Sequence, residues 1–445
     1  MRIKSCKKIG LLLGLMTAVF LIQAFPAQSA IDGLTGNTFT LTAKSGHIST
    51  GDGGSIFFWG LAGPSGTPQY PAPTLIVNQG ETITINLTNQ LAVPVSLVFP
   101  GQSGVLATGG VPGDLTNEAS PSGGTVAYTF TATNPGTYTY HSGTNPDLQI
   151  EMGLVGVIIV RPYGYVPGDM MTYKAYDHMD SQYDREFLFF LSEMDPTFHQ
   201  AVEFGQPVDT TTFKPVYWFI NGRTAPDTML EPNVAWLPSQ PYNSMPSMHS
   251  QDKVLMRLVG GGRDSHPFHT HGNHVRVIAR DGRLLSSGPG LGADLSRMEF
   301  TVTVAPGQTT DTIFRWTGEK MGWDIYGTTL PEFAHTCNGI PVEAVNPASA
   351  GFDSITNEYC PDHGKPFPVL LPSLQNLTFG GWYSGSPFLG AAGALPPGEG
   401  GLNPYAGFFF MWHSHNENEI VNNNIFPGGM LTMAVVQHSN VGIME

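Results

Sequence analysis

Charge is scarce in this chain. Only 12% of its 445 residues are Asp, Glu, Lys or Arg, about half the usual share. With so little charge and so many turn formers, long helices and coiled coils are disfavoured. Basic residues are the scarcer kind: 20 Lys and Arg stand against 35 Asp and Glu, for a net charge of −15. Nucleic-acid binding needs cationic surface, so that class is disfavoured too. Long apolar runs are missing apart from Ile9 to Ala24, which excludes an integral span elsewhere in the chain. That run follows Arg2, Lys4, Lys7 and Lys8 and precedes the small-residue exit Ala27-Gln28-Ser29, the pattern of a secretory signal peptide over 1–29. Its removal takes the net charge from −15 to −19 and implies an exported protein, periplasmic or extracellular. Cysteine is limited to three residues. Cys6 precedes the apolar run and is no lipid-attachment site. Cys337 and Cys360 are available to pair in an oxidising compartment, and the sequence leaves open whether they lie within reach.

What is abundant is Gly and Pro, 54 and 36 residues, beside a hydrophobic share of 41%. The chain can bury a core, and it is punctuated by turns. Thr82 to Leu87, Lys253 to Leu258, Val275 to Ile278 and Glu299 to Val304 alternate with period two, the mark of half-buried strands. No segment sustains a helical period over three turns. The fold class is therefore all-β.

Two regions repeat each other in order. Gln79-Gly80-Glu81 and the stretch Val95 to Gly101 match Gln251-Asp252-Lys253 and His266 to Gly272. Gly123 to Phe130 matches Pro306 to Phe314. Tyr140-His141-Ser142-Gly143, running to Val160, matches Trp412-His413-Ser414-His415, running to Val436. This predicts two β-sandwich domains, 30–165 and 186–445, joined by a linker over 166–185. The second domain carries an irregular insertion at about 328–405, which holds both remaining cysteines.

Six of the 14 His fall in two clusters: His266, His269, His271 and His274, then His413 and His415. Residues two apart on a strand share a face. His269 and His271 therefore converge, as do His413 and His415, and imidazole suits copper, zinc, iron and nickel. Met245, Met248 and His249 offer thioethers and an imidazole for transient Cu(I) capture, or simply packing.

At these residues the chain resembles the multicopper oxidase family. His266-Pro267-Phe268-His269-Thr270-His271-Gly272 resembles the family's H-P-x-H-x-H element. Trp412-His413-Ser414-His415 resembles its H-C-H element. Tyr138 to Ser142, running to Gly156, resembles the H-x-H element of the first domain, and Phe219 to Arg223 resembles a domain-opening phrase. The resemblance implies cupredoxin-like Greek-key sandwiches. It also implies oxidation coupled to dioxygen reduction, with a blue type 1 copper feeding a trinuclear cluster.

Several positions depart from that pattern. Ser414 stands where the type 1 thiolate belongs, and Glu419 where a type 1 His belongs, so no blue copper is expected. Val98, Pro100 and Gly143 stand where further cluster histidines belong. Five cluster positions remain: His141, His269, His271, His413 and His415. With His266 they are the expected metal ligands, for one or two copper ions, with zinc second. Glu419 is the expected catalytic residue, handling protons beside His266 or sharing a separate His/carboxylate site with it; the alternative is that it only ion-pairs or hydrogen-bonds with His266. The expected activity is a copper-dependent oxidase acting on a small-molecule or metal-ion reductant with dioxygen. The alternative is a non-catalytic copper-binding or structural protein. Two-domain members of the family imply a homotrimer with metal between neighbouring chains.

Overall fold

The computed structural model describes residues 31–321 and 408–437, with short stretches at 324–325, 336–338, 351–353, 355–356, 358–365, 386–387 and 442–443. The expected signal segment lies outside the described residues, as does most of the expected insertion. Among the described residues the regular structure is mostly strand, with two short α-helices, Pro146–Gln149 and Pro196–Glu203. None of these helices is long and apolar enough to cross a membrane.

The alternating segments become paired strands. In the first half, a six-stranded sheet runs Pro68–Gln69, Ser55–Ala62, Thr38–Ser49, Thr82–Asn89, Gly124–Thr131, Leu106–Gly109. A four-stranded sheet runs Leu34–Thr35, Leu75–Asn78, Val155–Arg161, Gly136–His141. Thr82–Asn89 buries every second residue, and Ile83, Ile85 and Leu87 enter the core between the sheets with Phe39, Leu41, Tyr128 and Tyr140.

The second half repeats the plan. One sheet runs Tyr217–Ile220, Arg185–Met194, Val254–Gly260, Thr309–Phe314, Val275–Arg280, Arg283–Leu284, with Arg297–Glu299 also on Val275–Arg280. The other runs Ser247–His249, Leu431–Gln437, Phe408–Ser414, His266–Thr270, Thr301–Val304, with Ser386–Pro387 on the edge of Phe408–Ser414. Phe189, Met256, Phe268, Phe314, Phe410 and Trp412 fill the space between them. Met248 packs in that core and Met245 against a neighbouring cluster, so both thioethers serve packing.

Two devices join the halves. The first is apolar: Phe58, Tyr70, Val157 and Ile159 pack against Leu188, Phe190, Phe219 and Val259, each large side chain contributing about 1.5–3 kcal/mol when fully buried. The second is polar. Arg257 donates to Glu186 Oε2 at 3.0 Å and to Thr137 Oγ1 at 2.8 Å. Asp311 accepts from Thr137 at 2.7 Å and from Tyr176 at 2.6 Å. The phrase Phe219 to Arg223 turns the chain against this junction. Asn221 and Gly222 take φ of 53° and 80°, and a Cβ at Gly222 would meet Tyr70 O at 2.0 Å, so only glycine fits. The Cys337–Cys360 disulfide forms, with Cα atoms 5.6 Å apart.

Candidate metal centre

The centre sits where the strand His266–Thr270 pairs antiparallel with Phe408–Ser414. In that register His269 lies opposite His413, so their side chains project from one face of the sheet. Alternation decides which face. Phe268 and Trp412 are buried in the core, so the residues between them point away from it. His271 follows at the strand end, before the turn at Gly272. The ligand atoms of His269, His271 and His413 lie within 4.8 Å of one another, with His271 Nδ1 3.2 Å from His413 Nε2.

Backbone carbonyls orient two of these rings. His413 Nδ1 donates to Ser414 O at 2.7 Å, and His269 Nδ1 to Phe300 O at 2.8 Å. Each bond leaves Nε2 as the nitrogen with the lone pair, which is the tautomer a metal needs. Burial lowers the pKa of His413 to about 4, with the neighbouring imidazoles adding to the effect against the Ser414 bond. Burial likewise lowers those of His269 and His271. The set is neutral near pH 7 and its donors are available. His415 stands at the rim, its side chain 49% exposed and its ring 4.7 Å from that of His269.

His266 does not join them, although sequence reasoning grouped it with the ligands. It is three residues from His269, an odd step on a strand, and it faces inward with Phe268. Both ring nitrogens are engaged by carboxylates: Nε2 donates to Glu193 Oε2 at 2.7 Å and Nδ1 to Glu419 Oε2 at 2.9 Å. Burial would lower its pKa, but these bonds and charges raise it to about 9. It is an imidazolium clamped between two acids, and that geometry leaves it no lone pair for a metal. Glu419 is buried and also accepts from Asn416 Nδ2 at 2.9 Å. Glu193 was missed by sequence reasoning. Its one signal is a carboxylate inside the apolar run Phe187 to Met194.

In the first half, His141 ends the strand Gly136–His141 and donates from Nδ1 to Ser142 O at 2.9 Å. It lies outside the three-histidine group. Val98 bridges to His141, the same opposition that pairs His269 with His413. A Cβ at Gly143 would meet Val98 Cγ1 at 2.7 Å, so valine fills the room an imidazole at 143 would need. Among the described residues one other group of mixed ligand types converges, Asp324, Glu358 and His363, which sequence reasoning did not single out.

A family model described as multicopper oxidase matches residues 66–164. The iron transport multicopper oxidase FET3 of Saccharomyces cerevisiae is 30% identical over 220 residues, 48% of this chain and 30% of that protein. Over these stretches the chain is similar in sequence to the multicopper oxidases. The iron transport multicopper oxidase fetC of Epichloe festucae is 36% identical over 136 residues, 29% of this chain and 21% of that protein. The chain thus matches a third or less of the length of either relative. Among solved structures, the multicopper oxidase mgLAC aligns with a TM-score of 0.53 at 17% identity, covering 92% of this chain and 88% of that one. The blue copper oxidase of Nitrosomonas europaea aligns at 0.52 and 19% identity, covering 89% and 85%. Both establish the fold as cupredoxin-like and all-β.

The likeness to multicopper oxidases implies copper. The donor set fits it: three imidazoles converge, two of them oriented through Nδ1, and none needs to lose a proton to bind. It does not fit a blue centre. Position 414 is a hydroxyl, and its neighbour on the inner face, His266, is bound through both nitrogens.

Proposed function

We propose that this chain is an exported copper-dependent oxidase whose histidine centre works without a blue copper. The supporting observation is the convergence of His269, His271 and His413 with Nδ1 of two rings tied to carbonyls. These three would hold the metal, with His415 closing the rim, for one or two ions. Copper is favoured over zinc by family and by an all-imidazole set. Bound copper would supply one-electron redox chemistry toward dioxygen. The chain's own part is to keep the imidazoles neutral, oriented and partly shielded, and to leave the His271 and His415 side open to a small-molecule or metal-ion reductant.

Assembly as a homotrimer would bring His141 of one chain to the second-domain histidines of the next. Two observations support this reading. Leu115 flanks Gly143, beside His141, and is exposed, as is Phe300 beside His269. One exposed apolar side chain beside the histidines of each half would suit a head-to-tail contact, which can close into a ring.

The test is metal analysis and dioxygen uptake on copper-reconstituted protein. Stoichiometric copper that is lost in His413→Ala, with sustained uptake of dioxygen on phenols or reduced metal ions, supports the oxidase. Copper bound without turnover would favour the second reading, a non-catalytic copper-binding protein. The clamped His266 and the hydroxyl at 414 speak for that alternative, because they remove the relay that carries electrons in from a distance.

A further inference from the structure

A cavity of about 350 Å³ opens on the outer face of the sheet that contains Val275–Arg280. That is the size of a small-molecule site. Strand register builds its floor: Arg276 lies between Met298 on one neighbour and Ile313 on the other. Lys253 and Arg315 complete one end, just beyond the paired Val254 and Phe314. The linker supplies the opposite wall through Met179 to Gln182.

The charge is unusual for this protein. In a chain of net −15, the lining holds Lys253, Arg276 and Arg315 against the single carboxylate of Asp180. Neutral groups hold the two guanidiniums. Arg276 donates to the backbone carbonyl of Asp180 at 2.7 Å, and Arg315 to the carbonyl of Gln251 at 3.2 Å. These bonds position the charges without cancelling them. Asp184, outside the lining, offsets Lys253 in part. Low-dielectric walls focus such a field on an entering anion. Met179, Met298 and Ile313 add an apolar surface, and thioethers pack well on aromatic rings.

The cavity lies near the histidine centre. His274 lines it, and the His274 and His269 rings each meet the ring of Phe300 at 5.7 Å. Phe300 is thus a contact shared by the cavity wall and the centre.

We propose that this cavity binds an aromatic carboxylate as the reductant of the histidine centre, a reading that rests on the oxidase proposal. Lys253, Arg276 and Arg315 hold the carboxylate, and Met298 the ring. With a catechol acid the stoichiometry closes: two molecules give four electrons and four protons to one dioxygen, leaving two quinones and two waters.

The test separates binding from turnover. Calorimetry on the metal-free protein uses 3,4-dihydroxybenzoate and, as the neutral comparator, catechol. The acid binds at one site per chain, about tenfold or more tighter than catechol, and the preference collapses in ~0.5 M salt. Lys253→Glu and the milder Lys253→Gln each weaken the acid about tenfold or more. Equal affinity for acid and catechol, or indifference to both Lys253 variants, overturns the proposal. Binding as described, with no dioxygen uptake after copper loading, upholds the cavity as an anion site and overturns the oxidase reading instead.

Discussion

Raising the pH through 9 will unclamp the corner of the second domain that His266 holds. The imidazole is held at about 9 in the folded chain, against an ordinary value of 6.5. Each pH unit of that difference corresponds to about 1.4 kcal/mol, so the clamp contributes about 3 kcal/mol. The sign follows from the direction. A group whose pKa is raised by folding stabilises the fold below its unfolded value and loses that contribution as pH rises. Stability from His266 is therefore complete below about pH 6.5, declines above it, and is gone beyond about pH 9. The assay is urea unfolding read by tryptophan emission, since Trp412 is fully buried beside Phe189 and Phe314. His266→Gln is the control. At pH 6 it should be less stable than the native chain by about 3 kcal/mol, because Glu193 and Glu419 lose their buried counter-charge. Near pH 10 the two should converge. Lysine and tyrosine titrations are common to both proteins and cancel in the difference. Parallel curves across that range would refute the reasoning, since they would mean that His266 carries no folding-linked proton.

Four other outcomes are expected. His269→Ala and His413→Ala should each abolish tight copper binding, checked by elemental analysis after dialysis, while His266→Gln should keep the full copper content. Ser414→Cys should bind copper without the intense thiolate-to-copper band in visible spectra, because Glu193 and Glu419 still hold both nitrogens of His266. Arg257→Leu should cost about 3–5 kcal/mol in urea unfolding, since Asp311 then stays buried at the junction without its nearby guanidinium. Reducing Cys337–Cys360, which closes a sequence separation of 23, should lower stability by about 2–4 kcal/mol, measured with and without reductant.

The amino-acid order alone determined a good part of this protein. Period-two alternation in segments such as Thr82 to Leu87 dictates strands, because a strand puts every second side chain on one face. The same rule puts His269 with His271 in advance of any structure. It also separates His266 from them, a consequence that grouping by motif overlooked. Ser414 already forbids a thiolate centre, since a hydroxyl is a poor ligand there. Other features required the tertiary structure. Glu193 reaches His266 across 73 residues and Glu419 across 153, contacts set by which strands pair and how the sheets stack. Val98 closing on Gly143, and cations from separate strands gathering around one cavity, have the same origin. Strand periodicity is local and can be read along the chain. Register and sheet packing are set by distant partners, and they decided which carboxylates His266 meets and which histidines face one another.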